Sequence, residues 1–209
     1  MSKFIGTKYC VGLSSGSSAL YLALKSLNIG IGDEVITTPF SWIITTNAIV
    51  LTGAKPVFAD IGNDLNIDPN MISKLINKKT KAIVPMHTAG HMCQMDLIKK
   101  IASENKLFIV EDAAQAICSK LNNRHAGSFS TVAAFSLNPM KLLGGFGECG
   151  FITTNSKQIY DKVKKLRHAG VSPKSSQISF NNSFYPSLNH KMDTMQASFL
   201  IHKFKKINK

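Results

Sequence analysis

The stretch Leu107-Phe108-Ile109-Val110-Glu111 decides the fold, because four consecutive apolar residues run into an acid. A continuous apolar run of this length is typical of a strand buried on both faces. Comparable runs lie at residues 34–38, 55–60, 81–85, 131–137 and 149–153. Helical patterns of about ten residues lie between most of them. Strands that alternate with helices form βαβ units, so the sequence predicts an α/β fold with a mostly parallel sheet sandwiched by helices.

The predicted helices follow from apolar residues at helical spacing. The first, over residues 18–27, follows the small polar run Ser14-Ser15-Gly16-Ser17. Asp68 is placed to act as the N-cap of another. The full set of predicted helices is residues 18–27, 42–51, 69–76, 95–104, 156–168 and 193–204.

Length and composition indicate a globular protein. The chain has 209 residues, of which 44% are apolar and 18% charged. These fractions exclude a disordered or collagen-like chain. No apolar run reaches the roughly 18 residues of a membrane span, and no signal-peptide core follows Met1. We therefore expect a cytoplasmic protein with no membrane partner.

The net charge of +13 is concentrated toward the end of the chain. Residues 1–149 carry 14 basic and 10 acidic groups, whereas residues 150–209 carry 11 basic and 2 acidic ones. Phosphate-backbone binding would use such a patch. However, only Arg124 and Arg167 are arginines, and base readout and bidentate phosphate contacts favour arginine. We expect no nucleic-acid partner, and a Lys-rich nucleic-acid-binding domain is kept only as an alternative.

The cysteines and histidines do not predict a metal site. No two cysteines form a CxxC pair, so separate reduced thiols are expected. His87, His91 and Cys93 give a loose zinc-like spacing, but Pro85 and Gly90 indicate a turn there. We therefore expect no metal. The cysteines are Cys10, Cys93, Cys118 and Cys149.

Polar residues follow several of the predicted strands. In a parallel α/β sheet, ligands bind beyond the carboxyl ends of the strands. The small-residue turn at 14–18 precedes a helix, an arrangement that holds phosphate on backbone N–H groups. A phosphate cradle, an acid and a lysine are thus predicted to meet in one crevice. The residues that follow strands are His87, Glu111, Asp112, Gln115, Ser136, Asn138 and Lys141.

These groups supply the parts that pyridoxal phosphate (PLP) requires. A lysine can form a Schiff base, and a carboxylate can hold the pyridine nitrogen protonated so that the ring accepts electrons. Taken singly, each element has a simpler interpretation. Asp112 alone would suit a helix cap or an ion pair, and Lys141 alone would suit the surface.

Five ordered motifs resemble the DegT/StrS family of PLP-dependent nucleotide-sugar aminotransferases. The resemblance runs from about Lys8 to the end of the chain and implies the large domain of a fold-type I aminotransferase. The motifs are Val11-Gly12-Leu13-Ser14-Ser15-Gly16-Ser17-Ser18-Ala19-Leu20, Thr37-Thr38-Pro39-Phe40-Ser41-Trp42, Gly53-Ala54-Lys55-Pro56-Val57-Phe58-Ala59-Asp60, Glu111-Asp112-Ala113-Ala114-Gln115-Ala116 and Phe135-Ser136-Leu137-Asn138-Pro139-Met140-Lys141.

The resemblance implies a role for each residue around the PLP ring. Lys141 matches the lysine that holds PLP covalently and then moves the proton between the two carbons of the imine. Asp112 matches the acid on the pyridine nitrogen, and Gln115 matches the amide near the ring hydroxyl. Trp42 matches the aromatic residue that stacks on the ring. His87 matches a histidine near the site to which we assign no role.

The resemblance also implies phosphate contacts and a partner subunit. Ser17, Ser18 and Ser136 match phosphate contacts. Asn189 matches an asparagine that reaches the phosphate in the neighbouring subunit's site, which implies a homodimer with shared active sites.

The implied reaction moves an amino group, from glutamate as the expected donor, to a keto group of a nucleotide-linked sugar. Such a reaction serves the synthesis of polysaccharide or surface-glycan precursors. One branch of the family has histidine in place of the lysine and dehydrates the sugar, so Lys141 favours transamination. Gly145-Phe146-Gly147-Glu148-Cys149-Gly150 satisfies G-x-G-x-x-G, but a strand follows it where a dinucleotide site needs a helix.

Relative to the family pattern, the chain lacks a helical segment before Phe4 and a C-terminal domain. We therefore expect a PLP-binding α/β large domain at residues 1–170. Residues 171–209 are expected to form a loop and the start of a linker helix toward the absent domain. An inactive truncated remnant that folds, with or without binding PLP, is the alternative to an active enzyme.

Overall fold

The computed structural model describes residues 1–171 and 182–207. The helices are α1 (Ser2–Ile5), α2 (Gly16–Ser26), α3 (Ile44–Leu51), α4 (Pro69–Leu75), α5 (Met95–Glu104), α6 (Lys157–Leu166) and α7 (Thr194–Phe204), with a 3-10 turn at Thr88–Gly90. The strands are β1 (Tyr9–Leu13), β2 (Glu34–Thr37), β3 (Lys55–Phe58), β4 (Thr80–Val84), β5 (Phe108–Asp112), β6 (Lys120–Leu121), β7 (Arg124–His125), β8 (Val132–Ser136) and β9 (Gly150–Thr154).

Seven of these strands form one sheet in the order β1-β9-β8-β5-β4-β2-β3. The pairings from β8 through β5, β4 and β2 to β3 are all parallel. Strand β9 lies antiparallel to both of its neighbours, β1 and β8. The short strands β6 and β7 pair separately as a hairpin. The predicted mostly parallel sheet is confirmed.

Helices cover both faces of the sheet, as predicted. Along β8, Val132 and Ala134 pack into one core while Ala133 and Phe135 pack into the other. This alternation follows from the two-residue period of a strand. The first core, which contains Val132, receives apolar side chains from α2, α3 and α6. The second core, which contains Ala133, receives them from α1, α4, α5 and α7. These two cores hold the strands side by side, with the carboxyl ends of the parallel strands at the same edge of the sheet.

Local capping explains where several helices begin. Asp68 accepts a hydrogen bond from the N–H of Asn70 at 2.8 Å, so its predicted role as an N-cap is confirmed. Ser15 caps α2 in the same way, with the N–H of Ser18 at 3.0 Å from its hydroxyl. Such caps satisfy backbone donors that have no partner inside the helix.

Two elements differ from the sequence-based expectation. The sequence does not predict strand β1, because Gly12 interrupts its short apolar run, yet β1 pairs along its whole length with β9. Helix α3 begins at Ile44 and not at residue 42, which leaves Trp42 in the segment before the helix. That later start exposes the tryptophan ring beside the cavity described below.

The last helix packs on the main body of the chain. Leu200 is buried in the second core, and the ring of Phe204 meets that of Phe4 edge to face at 5.1 Å. Residues 172–181 and 208–209 of the predicted loop and linker lie outside the described residues, and the division of the chain at residue 170 stays a prediction. Across the described ranges, none of the helices is both long and apolar enough to cross a bilayer.

Several lysines of the basic helix α6 are engaged locally. Lys157 forms an ion pair with Asp161 one turn on, at 2.5 Å. Lys164 lies over the ring of Tyr160, and Lys165 lies over the ring of Phe184 at 4.5 Å from its centre. Such cation–π contacts use lysine charge within the fold. These lysines therefore make contacts within the fold that do not involve nucleic acid.

Candidate active site

A cavity of about 850 Å³ lies at the carboxyl ends of the parallel strands. Met86 follows β4, Asp112 ends β5 and Ser136 ends β8, and all three line it. Its volume falls in the range of small-molecule sites, roughly 300–1,000 Å³. Six of the eight predicted site residues line this cavity, namely Ser17, Trp42, Asp112, Gln115, Ser136 and Lys141.

Asp112 forms the buried acidic wall of the cavity, with only 3% of the residue exposed. Its Oδ2 accepts a hydrogen bond from the hydroxyl of Thr45 at 2.7 Å, and its Oδ1 accepts one from the N–H of Ala114 at 3.2 Å. Burial raises the pKa of Asp112 above its usual range, although both hydrogen bonds act to lower it. The carboxylate is thus held in one orientation at a place where a cationic partner would stabilise its charge.

Gln115 is oriented by the turn that follows β4. Its Oε1 accepts a hydrogen bond from the N–H of Ala89 at 2.8 Å. Because the amide oxygen is occupied in this way, the Nε2 donor is available to a ligand in the cavity. The side chain can therefore donate a hydrogen bond toward an oxygen near Asp112.

The start of α2 packs directly against the end of β8. A Cβ placed on Gly16 would lie 2.7 Å from the Cβ of Ser136, so only glycine allows this approach. The approach brings Ser17 and the free N–H groups of the first turn to the same side of the cavity as Ser136. Helix N-termini carry partial positive charge and unpaired N–H donors, so this corner can bind an anion such as phosphate.

The structure places the other two predicted residues away from the cavity lining. The hydroxyl of Ser18 lies 3.0 Å from Ser14 Oγ and 3.0 Å from His190 Nδ1, within the cap of α2. Asn189 is exposed, and its Oδ1 accepts a hydrogen bond from the N–H of Lys191. Their predicted roles toward phosphate stay predictions.

Lys141 lies in a tight turn after β8. The turn is closed by hydrogen bonds from the N–H of Lys141 to the carbonyl of Asn138, at 2.8 Å, and from the N–H of Met140 to the Asn138 side chain. A Cβ on Gly144 would meet the Pro139 carbonyl oxygen at 2.4 Å, so the turn requires glycine at that position. Within residues 1–171 and 182–207, Lys141 Nζ has no hydrogen-bond or ion-pair partner, which leaves the amine free to react.

Trp42 presents an aromatic face at the mouth of the cavity. The residue is 73% exposed although it lines the same space as Asp112 and Lys141. An exposed tryptophan beside a cavity provides a flat surface on which an aromatic ring can stack.

The comparisons with known proteins agree with this geometry. The model of the DegT/DnrJ/EryC1/StrS aminotransferase family matches residues 1–209. The chain belongs to this family.

Two relatives of this DegT/DnrJ/EryC1/StrS chain are named for polysaccharide synthesis or for a nucleotide-linked amino sugar. It is 40% identical, over 98% of its length and 54% of the relative, to the spore coat polysaccharide biosynthesis protein SpsC of Bacillus subtilis. It is 38% identical, over 93% of its length and 50% of the relative, to the dTDP-3-amino-3,4,6-trideoxy-alpha-D-glucose transaminase of Streptomyces venezuelae. The chain spans about half the length of the curated relatives it matches.

A solved family structure with bound cofactor has the same fold. The crystal structure of NtdA from Bacillus subtilis with bound cofactor PMP superimposes with a TM-score of 0.92 and 30% identity. The match covers 99% of this chain and 46% of that one. PMP is the amine form of PLP, so pyridoxal phosphate is the cofactor that membership of the family implies.

In this member of the DegT/DnrJ/EryC1/StrS family, His87 lies beneath the cavity and not in it. The ring is fully buried, and the N–H of Cys93 donates to its Nδ1 at 3.2 Å. With Nδ1 as the acceptor of that hydrogen bond, Nε2 is the ring nitrogen that donates to Glu111 Oε2 at 3.0 Å. In the described part of the chain, no cluster of three or more His, Cys, Asp or Glu side chains is arranged to hold a metal ion.

Glu111 ties that histidine to the loop before β8. Its carboxylate also accepts the N–H groups of Gly127, at 2.7 Å, and Phe129, at 3.1 Å. Burial acts to raise the pKa of Glu111, but the hydrogen bonds from His87 and Gly127 outweigh it and hold the pKa below its usual range. The Glu111 carboxylate is thus a fixed negative charge that supports the floor of the site.

Sequence reasoning missed two polar residues of this family member's cavity. Thr45 donates to Asp112, and Glu148 lines the cavity while accepting a hydrogen bond from the Asn138 side chain. On α3, Thr45 lies beside Thr46 and Asn47, and the sequence alone does not distinguish it from them. For Glu148 the signal was an acid in the glycine-rich turn that follows the lysine.

Proposed function

We propose that this chain forms the PLP-binding part of an aminotransferase that moves an amino group to a keto group of a nucleotide-linked sugar. One observation carries the proposal: the side chain of Lys141 shares a cavity with the buried carboxylate of Asp112 and the N-terminus of α2. Membership of an aminotransferase family supports the same reaction class. Because the chain spans about half of its relatives, the activity and substrates of the whole protein are part of the proposal.

The residues of the cavity suit each part of PLP. A phosphate would bind at the N-terminus of α2, where Gly16 allows close approach to Ser136 and where Ser17 lies. The pyridine nitrogen would meet Asp112, whose buried carboxylate would be stabilised by a cationic partner. Gln115 would donate to the ring hydroxyl through Nε2. The residues therefore fit the cofactor.

Bound PLP supplies an electron sink for the carbanion that forms when a proton leaves the substrate carbon. Lys141 Nζ would hold the cofactor and would serve as the base that moves the proton during amino transfer. The carboxylate of Asp112 would favour a proton on the pyridine nitrogen, and the exposed ring of Trp42 would stack on the cofactor. Ser18 and Asn189 are proposed as further phosphate contacts, the second in a neighbouring subunit.

The proposed substrates follow from the relatives. The Streptomyces transaminase is named for a dTDP-linked amino sugar, and SpsC for spore coat polysaccharide synthesis. We propose a nucleotide-linked keto sugar as acceptor and an amino acid, glutamate, as donor. The product would serve the synthesis of a polysaccharide or surface glycan.

A cytoplasmic homodimer is the proposed working form. Three large apolar side chains that line the cavity are exposed and would be covered by a second subunit, namely Trp42, Met140 and Leu142. Contiguous exposed apolar surface of this kind marks interaction sites. Light scattering of the purified chain measures the assembly directly, and a monomer at all concentrations would contradict it.

Absorption spectroscopy tests the reaction class. PLP added to the purified chain should produce a visible band that borohydride abolishes. The band should be lost in Lys141→Ala and kept in Lys81→Ala, an exposed lysine at the opposite ends of the strands that controls for reaction with surface amines. A band that survives Lys141→Ala would refute the proposal.

A second measurement separates an active enzyme from an inactive remnant. Glutamate should convert the visible band to that of the amine form of the cofactor. If the band forms at Lys141 but glutamate leaves it unchanged, the chain binds PLP without transferring the amino group.

A further inference from the structure

We propose that Thr45 is a positioning residue that holds the Asp112 carboxylate toward the pyridine nitrogen, an inference that rests on the proposed binding of PLP. The hydroxyl of Thr45 lies 2.7 Å from Asp112 Oδ2. The two residues are 2% and 3% exposed, so water does not compete for this contact. A hydroxyl–carboxylate bond of this length is at the short, charge-assisted end of the hydrogen-bond range, about 2.5–2.7 Å.

Two donors from different elements fix the rotation of the carboxylate. Thr45 is in the first turn of α3, whereas Ala114, whose N–H binds Oδ1 at 3.2 Å, follows β5. With one donor on each oxygen, the carboxylate plane cannot turn without breaking a buried hydrogen bond. Asp112 therefore presents a defined lone-pair direction to the cavity.

Thr45 also joins the carboxylate to the aromatic face. Its N–H donates to the carbonyl of Trp42 at 3.0 Å while its hydroxyl donates to Asp112. One residue thus connects the group proposed to contact the ring edge with the group proposed to contact the ring face. Movement of the loop that carries Trp42 would be transmitted to Asp112 through Thr45.

The hydrogen bond also acts on the charge of Asp112. Burial raises the pKa of this carboxyl, and the Thr45 hydroxyl is the largest of the effects that oppose the rise. Without the hydroxyl, the ionised carboxylate loses a hydrogen-bond donor to a buried oxygen. The proton on the pyridine nitrogen would then be held less strongly.

The experiment compares PLP with its deaza analogue, in which carbon replaces the ring nitrogen, on the full chain. Affinity is measured from the band that depends on Lys141. Thr45→Val removes the hydroxyl and keeps the shape, and we expect it to bind PLP about tenfold more weakly than wild type. Its affinity for the deaza analogue should match that of wild type, because that analogue makes no contact through a ring nitrogen.

Two variants control for packing and stability. Thr45→Ser keeps the hydroxyl and should bind PLP within about twofold of wild type, since the donor is retained. Thr37→Val removes another buried hydroxyl, which donates to the carbonyl of Val84 at 3.0 Å outside the cavity. It should lower stability without changing PLP affinity. If Thr45→Val does not fold, Thr45→Ala carries the same expectation.

Two results would overturn the inference. One is equal PLP affinity in wild type and Thr45→Val, and the other is an equal loss for PLP and the deaza analogue. Both are distinct from failure of the proposed function, in which wild type itself forms no Lys141-dependent band.

Discussion

The contact between α2 and β8 makes Gly16→Ala an informative substitution. The added Cβ would lie 2.7 Å from the Cβ of Ser136, whereas carbon atoms pack best at about 3.5–4.0 Å. The start of α2 must therefore move away from Ser136 by about 1 Å. Overpacking of this kind costs about 1–3 kcal/mol, and the higher helix propensity of alanine offsets about 1 kcal/mol of that.

The expected consequence is larger for binding than for stability. The free energy of unfolding should fall by up to about 2 kcal/mol, as measured by urea denaturation. A 1 Å displacement of binding groups can cost about a hundredfold, so we expect PLP to bind about ten- to a hundredfold more weakly in an absorbance titration.

Gly30→Ala is the matched control for Gly16→Ala. Its Cβ would meet only the Thr52 carbonyl oxygen, at an ordinary 3.5 Å, away from the cavity. The control should leave PLP affinity unchanged. Wild-type affinity in Gly16→Ala would refute the assignment of this corner as the phosphate site.

Three further predictions follow from buried carboxylates and a helix cap. Glu111→Gln should lower the free energy of unfolding at pH 7 by about 2–3 kcal/mol, because one of the bound N–H groups loses its acceptor. Since the folded pKa of Glu111 is depressed, the stabilisation from this carboxylate is present above about pH 4.3 and is lost as the pH falls through the folded pKa. In urea denaturation at several pH values, the free energies of unfolding of the variant and wild type should therefore converge in acid. A difference that stays constant with pH would contradict this. The pKa of Asp112 is raised in the folded protein. The contribution of this carboxyl group to the free energy of unfolding is therefore complete below about pH 3.9 and is lost as the pH rises through the folded pKa. The cofactor-free wild type should thus lose stability relative to Asp112→Asn as the pH rises, and the opposite slope would refute that sign. Asp68→Ala should cost about 1 kcal/mol through loss of the α4 cap, seen as a lower Tm with unchanged PLP affinity, and no change in Tm would count against the cap.

The positions of Asp112 and Lys141 could be predicted because the ends of buried strands can be recognised from the residue pattern. Each follows a buried apolar run, and parallel strands bring their carboxyl ends to one edge of the sheet. The direction of β9 could not be predicted in this way, because an apolar run has the same pattern in either orientation.

The contacts of Thr45 and Ser18 could not be predicted from the spacing of apolar and polar residues in the sequence. Thr45 and Asp112 are 67 residues apart, and only the folded chain shows that they touch. Ser18 is one of four serines near the start of α2, and the phase of that helix decides which hydroxyls face the cavity. That phase turns Ser18 toward Ser14 and His190.

The contact between Ser18 and His190 joins residues 172 positions apart in the chain. Beside it, Ser14 donates its N–H to the His190 carbonyl, and β1 lies at the edge of the sheet, where β9 is its neighbouring strand. Strand β1 therefore cannot pair until β9, the last strand, has formed. The turn that follows β1 can form its contacts with His190 only after that residue is also in place. Pairings this distant in sequence close slowly. During synthesis on the ribosome, the start of this chain should be the last part of the sheet to become protected from hydrogen exchange.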